Sequence, residues 1–450
     1  MEGTVYKTKA DVLKRGREAI GKTLGEIDKT GRIQTGKGAI GTVIEESWFG
    51  YKPNSESEPD FPEAGVELKV TPYIRKGETL RAKERLVCNI IDYMKEYDKT
   101  FKTSAFWHKC NTMLIMPYEH RYDVPKVDYT IDEAVLFNFP EEDLKIIERD
   151  WMTIMAKVRA GGAHLLSEGD TYYLAACTKG ANAESTRQQP FSPHRAKQRA
   201  YSLKGSYMTR ILNTYVFGNA ESESIIKDPH VLEEQSFDQY ILEKLTPYFG
   251  MTQGQLKLHF GVESTAKNLG EILLGKMLGV SGKIAYTDEF QKANIIPKTI
   301  RVRRDGSIKE SMSFPTFDFI KLSKETDWEE SEFYEYLAPA KFAFIIFEEN
   351  NEGELVFARV KFWNIPAEDL EEVGRVWSRT VETIKRGVKL TQTSSGISND
   401  LPKQSESRVA HVRPHGRDGN DKLPLPDGRM MTKQCFWLNN TYIAEQIKER

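Results

Sequence analysis

Cysteine is scarce in this chain. Four cysteines in 450 residues, Cys88, Cys110, Cys177 and Cys435, stand far apart and form neither a CxxC pair nor a zinc-ligand spacing. That excludes a zinc ribbon, a thioredoxin-type redox motif and a disulfide framework, and fits a reduced, cytoplasmic setting. Net charge is also small: 64 Lys and Arg against 66 Asp and Glu leave −2. A protein that coats nucleic acid by bulk charge is excluded, but local basic patches are not. No apolar run reaches the roughly 20 residues of a membrane span. The opening Met1-Glu2-Gly3-Thr4 lacks the basic-then-apolar pattern of a signal peptide, so no membrane partner is expected. There is no G-x-S-x-G, no Walker loop and no dinucleotide fingerprint. His411 and His415 have no Cys or carboxylate at zinc-ligand spacing. Low-complexity sequence is nearly absent, and the polar stretch Thr391–Ser407 is expected to be a mobile loop.

What remains is an ordinary globular composition, 39% hydrophobic and 29% charged, long enough for two domains with ample cores. Its most informative stretch runs from Pro59 to Pro72 and holds Asp60, Glu67 and Lys69. Val66-Glu67-Leu68-Lys69-Val70 alternates apolar and charged residues, the period of a half-buried strand. Residues two apart on a strand share a face. Glu67 and Lys69 therefore stand together, opposite Val66, Leu68 and Val70, and the turn from Pro59 to Gly65 can bring Asp60 beside them. Asp60, Glu67 and the Leu68 carbonyl could hold a hard divalent cation such as magnesium. The Lys69 ammonium could orient an attacking water or stabilise charge growing on a phosphate. Metal-dependent phosphodiester cleavage needs this chemistry. An isolated Glu-x-Lys is more often a solvated face or a surface ion pair. The credible strand, the Pro-Asp turn and two further carboxylates just upstream, Glu45 and Glu46, favour the functional reading.

The chain also resembles itself. Asn138 to Trp151, followed by Gly161, recurs as Asn364 to Trp377, followed by Gly387, with Asn, Pro, Glu, Asp, Leu, Arg, Trp and Gly in common. Each copy reads as a strand end, a Pro at a helix start and an amphipathic helix closing near Gly. Lys22–Ile27 and Lys267–Ile272 form a second matching pair in the same order. The expected division is 1–220, a structured connector over 221–249, and 250–450. Only the first half keeps the acidic cluster. The counterpart strand, Ile295–Val302, has no acidic residue, and the helix after Ile272 has no equivalent of Glu45 and Glu46. From His194 to Arg210 runs a basic segment with Arg195, Lys197, Arg199, Lys204 and Arg210, interleaved with Tyr201 and Tyr207 and free of acids. Such a segment suits phosphate and base contacts, or equally a solvated basic face. Small residues in Thr178–Ala183, around Lys179, suit close approach of backbone to a ligand. The second half offers His411–Arg417 and Met431–Leu438, in which Lys433-Gln434 echoes Lys197-Gln198.

Asp60-x6-Glu67-Leu-Lys69, within Ala-Gly-Val-Glu-Leu-Lys-x-Thr-Pro, resembles the MutH family of DNA endonucleases. Lys83–Val87, Cys177–Ala183, Ala196–Ala200, His411–His415 and Met431–Gln434 extend the likeness over nearly the whole chain. They make it most similar to the staphylococcal type of GATC-cutting type II restriction enzyme, which carries two MutH-like domains. The resemblance implies a mixed α/β (α+β) chain with two PD-(D/E)xK domains, each a central mixed sheet flanked by helices. It implies Mg2+ dependence and cleavage of double-stranded DNA at GATC, beside a cognate methyltransferase. The first half would be catalytic and the second a pseudo-nuclease that binds DNA and regulates, a pairing that allows self-association on DNA. Asp60, Glu67 and Lys69 match the family's metal- and water-handling triad. The family's helical Glu, counted back from Trp48-Phe49-Gly50, falls on Glu46; counted forward from Gly41 it falls on Glu45, and Glu46 is the expectation. Arg199 and Lys204 fall in an element that the family places at the DNA surface. Lys179, Tyr207, Arg413, His415 and Lys433 complete the expected DNA contacts. Two alternatives stay open, a MutH-like mismatch-repair nicking enzyme and a non-catalytic DNA-binding protein.

Overall fold

Thr112-Met-Leu-Ile-Met-Pro-Tyr-Glu119 is nearly continuous in apolar residues, the signature of a strand covered on both faces. In the computed structural model, which describes residues 6–34, 39–51, 58–77, 79–180, 184–219, 222–228, 230–393 and 396–448, that run is a central strand. The chain forms two compact units of mixed α/β structure. One comprises residues 1–240 with 280–295, the other 241–279 with 296–450. The segment expected to be a connector thus divides between them.

The first unit contains β1 (Glu67–Lys76), β2 (Thr79–Ala82), β3 (Leu86–Ile90), β4 (Thr112–Glu119), β5 (Val135–Asn138), β6 (Leu174–Thr178), β7 (Thr186–Arg187), β8 (Ala196–Lys197) and β9 (Arg199–Leu203). One sheet has the order β2-β1-β4-β5, a second β3-β9-β6, and β7 pairs with β8. β1 runs parallel to β4, with Glu67 opposite Met113 and Lys69 opposite Ile115, whereas β2 and β5 pair antiparallel to their neighbours. Val66, Leu68, Leu114 and Met116 lie in one apolar cluster with Val43, Ile44, Phe49 and Phe61. The apolar side of β1 is therefore buried, and its charged side is left for chemistry.

The second unit repeats this plan with β10 (Ile295–Val302), β11 (Met312–Thr316), β12 (Lys341–Glu349), β13 (Leu355–Trp363), β14 (Leu390–Thr393), β15 (Gly396–Asn399), β16 (Ala410–Pro414), β17 (Lys422–Pro424), β18 (Met430–Thr432) and β19 (Gln434–Leu438). Its sheets are β10-β12-β13 and β11-β19-β16, and a two-stranded pair, β17 and β18, again lies between the last two strands of the second sheet. Within Thr391–Ser407, β14 and β15 form an antiparallel hairpin, which corrects the expected loop. Its Thr- and Ser-rich sequence satisfies backbone groups across a ladder even with little to bury.

Two helices carry the sequence repeat, α1 (Glu141–Arg159) and α2 (Ala367–Arg386), each capped by a proline, Pro140 and Pro366. Their matching aspartates do the same structural work. Asp143 accepts a hydrogen bond from the Tyr207 hydroxyl at 2.9 Å, and Asp369 accepts one from the Tyr442 hydroxyl at 2.8 Å. Each aspartate also pairs with a cation: Lys292 lies 2.7 Å from Asp143, and Arg408 pairs with Asp369. Asp143 and Lys292 are buried. Replacing Asp143 by alanine removes the acceptor for Tyr207 and one of two carboxylates on Lys292, since Asp288 lies 2.7 Å away. The expected loss is about 3 kcal/mol, the low end for a broken buried pair. Urea unfolding of Asp143→Ala checks it, and a loss below about 1 kcal/mol would show that Asp288 alone suffices.

Candidate active site

The charged face of β1 and the turn before it build the site. Phe61 and Val66 exchange backbone hydrogen bonds at 2.9 and 3.2 Å, closing a tight turn in which Gly65 takes φ 62°, a conformation costly for other residues. The turn sets Asp60 against the start of the strand. The Leu68 N–H donates to Asp60 Oδ2 at 2.9 Å, and the Asp60 N–H donates to Glu67 Oε2 at 3.2 Å. Lys69 Nζ donates to Glu67 Oε1 at 2.9 Å and reaches the Cys88 carbonyl at 3.4 Å. Asp60, Glu67 and Lys69 are thus brought together. Glu67 is only 3% exposed.

Two further residues join them. Lys109 places its Nζ 3.6 Å from Glu67 Oε1. It comes from the short helix Ala105–Cys110, capped by Ser104, and no motif in the sequence marks it. The second is Glu45, where Glu46 was expected. Burial, then the fields of Asp60 and Glu67, push the Glu45 carboxyl up to about 7, partly offset by Lys69 and Lys109. Glu46 instead pairs with Arg32. The reason is local geometry. Ile44–Phe49 forms a π-helical turn closed by Gly50 in the left-handed conformation. A π turn takes up one extra residue within a helix, so counting back from Trp48-Phe49-Gly50 stops one residue short.

Burial also pushes the Glu67 carboxyl up to about 7, against the pull of Lys69 and with Asp60 adding to the rise. Burial works against a charged Lys69, but the adjacent Glu67 carboxylate keeps it protonated. Glu45 thus lies in the field of Asp60 and Glu67, and the mutual repulsion of their charges is what a divalent cation would relieve. Among the described residues no group of three His, Cys, Asp or Glu side chains is placed to hold a metal ion. Mg2+ does not require one, because it keeps several waters and takes one or two carboxylates. The acids have a pH signature without any metal. A folded-state pKa raised from 4.5 to about 7 gives stability that is complete below pH 4.5 and lost as pH rises through 7. In chelator, the melting temperature should fall from pH 5.5 to 8, and should fall less in Glu45→Gln/Glu67→Gln. Identical pH profiles for the two proteins would remove this reading.

The expected DNA contacts divide. Arg199, Lys204 and Tyr207 are buried and spent inside the first unit. Arg199 donates to the carbonyls of Ala176, at 2.7 Å, and Leu166; Lys204 donates to the Thr171 carbonyl at 2.6 Å; Tyr207 bonds to Asp143. Arg199 opens β9, the middle strand of its sheet, and Lys204 follows that strand at the cap of the helix Gly205–Ile211, so these two cations fasten backbone carbonyls instead of facing solvent. Lys179 is exposed just past β6, whereas Ala181, Asn182 and Ala183 lie outside the described residues. In the second unit, Arg413 is exposed with its guanidinium 4.2 Å from the Trp437 ring centre. His415 packs edge-on to the same ring. Lys433 Nζ bonds to Asp421 at 2.7 Å. The echo of Lys197-Gln198 in Lys433-Gln434 is out by one. The His415 N–H donates to the Lys433 carbonyl as the Lys179 N–H donates to that of Gln198, so Gln198 corresponds to Lys433.

The chain is similar to known proteins. A family model described as the DNA mismatch repair enzyme MutH matches residues 49–150, the span that holds Asp60, Glu67, Lys69 and Lys109. The type II restriction enzyme Sau3AI of Staphylococcus aureus is 39% identical, over 99% of this chain and 99% of its own. The DNA mismatch repair protein MutH of Shewanella woodyi is 30% identical over 46% of this chain and 92% of its own. That of Escherichia coli is 28% identical over 40% and 79%.

Proposed function

The chain belongs to the family of type II restriction enzymes that share the MutH nuclease domain, and as a site-specific deoxyribonuclease of that family we propose that it cuts both strands of DNA at GATC with Mg2+. The observation that carries the proposal is the convergence of Asp60, Glu67 and Lys69 on the polar face of β1. Asp60, Glu67 and the Leu68 carbonyl would hold the metal, which supplies charge stabilisation to the phosphate and a more acidic water. Lys69, kept protonated by Glu67, orients the attacking water and faces the charge that grows on the phosphoryl oxygens. Lys109 adds a second ammonium on the same side. Glu45 is the helical carboxylate of the set.

We also propose that each unit is a PD-(D/E)xK domain, the first catalytic and the second DNA-binding and regulatory. The repeated strand order supports a shared fold. The displacement that carries Thr112, at the start of β4, onto Lys341, at the start of β12, carries Lys69 onto Lys298 and Glu67 onto Ile296. The second unit thus keeps the lysine and loses the acid. Its exposed Arg413 and His415, held on Trp437, serve DNA contact. No described helix is long and apolar enough to cross a membrane; the proposed setting is the cytoplasm, beside a methyltransferase that protects GATC.

The test is a plasmid digest with Mg2+ or with chelator, followed by sequencing of the ends. Ends at GATC on both strands, only with metal, are expected. Ends at an unrelated sequence would remove the specificity, undiminished cutting in chelator would remove the metal, and nicking alone would favour the repair-type activity.

A further inference from the structure

One residue pins the loop between β6 and β9 with both its backbone and its side chain. The Gln198 carbonyl accepts from the Lys179 N–H at 2.9 Å, and the Gln198 N–H donates to the Ser185 carbonyl at 2.8 Å. Gln198 Nε2 donates to the Lys179 carbonyl at 2.7 Å, and Gln198 Oε1 accepts from Arg187 Nε at 2.9 Å. Arg187 sits on β7, paired with Ala196 of β8, and is only partly buried. With Nε engaged by Gln198, its two terminal nitrogens have no hydrogen-bond partner among the described residues. An arginine oriented through Nε presents two parallel N–H groups, the fork that matches O6 and N7 of guanine in the major groove.

The place fits as well as the chemistry. The Ile91 N–H donates to the Arg199 carbonyl, next to Gln198, at 2.9 Å. Ile91 is three residues beyond Cys88, whose carbonyl meets the Lys69 ammonium. At about 3.3 Å per residue, the loop anchor lies roughly 10 Å along β3 from the active site. That is about three base pairs of duplex, at about 3.4 Å each, the reach needed between a cut phosphate and a base inside a short recognition site. The exposed Lys179 beside it suits the backbone of the same duplex.

We propose that Arg187 reads a guanine of the recognition site and that Gln198 is its positioning residue. The proposal rests on the endonuclease reading above and goes beyond it by naming the base and the reader. The experiment digests a random-sequence DNA library with the full-length enzyme and variants and sequences the ends, giving base preference at each position. Arg187→Lys keeps the charge and the fold but loses the fork; preference for one guanine should fall about tenfold or more. Gln198→Ala, which removes both the acceptor for Arg187 Nε and the donor to the Lys179 carbonyl, should relax the same position and no other. Uniformly weaker cutting by Arg187→Lys with unchanged preference would mean a phosphate contact and overturn the assignment. So would unchanged preference in Gln198→Ala, or a wild-type site without guanine. A wild-type site other than GATC that still contains a guanine relaxed by Arg187→Lys would overturn only the GATC reading.

Discussion

Glu67→Ala and Lys69→Ala should each cut about a thousandfold more slowly than the wild type while binding DNA within about threefold of it. Glu67 sits at the centre of the site. It accepts from the Asp60 N–H and from Lys69, and faces Lys109 at 3.6 Å. A carboxylate so placed holds the geometry of the others but adds repulsion toward DNA phosphates. Its loss therefore costs the transition state and not the ground-state complex. Lys69→Ala removes the ammonium proposed to face the phosphate and leaves Glu67 without its closest counter-charge. Asp60→Ala should behave likewise. Single-turnover cleavage and a binding assay on the same proteins separate the two effects. If affinity falls in step with rate, these residues bind DNA and do not act on the reaction.

Glu45→Gln should be close to inactive, about a hundredfold or more below wild type, and Glu46→Gln should cut within a few-fold of it. Glu45 lies in the field of Asp60 and Glu67, whereas Glu46 answers Arg32. The substitutions are isosteric and adjacent, so a folding defect would affect both, and thermal melts check that directly. An inactive Glu46→Gln beside an active Glu45→Gln would return the role to Glu46 and deny the π turn its part.

The strand of the site was legible because alternation is local: Val66 to Val70 states its own faces. The Asp60 turn was legible for the same reason, since Pro62 and Gly65 announce it. The helix was not. A π turn changes the face of every residue before it by one position, and nothing in Ile44–Phe49 distinguishes it from an α-helix of the same length. The basic segment misled in a different way. Charge and spacing do not tell whether a cation faces water or a row of carbonyls, and Arg199 and Lys204 were decided by the carbonyls of Ala176, Leu166 and Thr171, 23 to 33 residues away in sequence. Lys109 carries no motif, and Gln198 is marked only as part of a block and an echo; contacts distant in sequence give both their significance.

Residues 280–295 belong to the first unit although they follow a stretch of the second. They supply Lys292 to Asp143, and Glu289, whose carboxylate accepts from Ile225, Ile226 and Ser224. Such an arrangement orders events during synthesis. When Phe217 has left the ribosome, every residue of the proposed site has been made, but its unit still lacks residues 280–295. At about 5–20 residues per second, the wait until Ile295 emerges lasts several seconds. A chain that stalls or is cleaved in that interval releases the first unit without Lys292 for Asp143 and without Glu289 for residues 224–226.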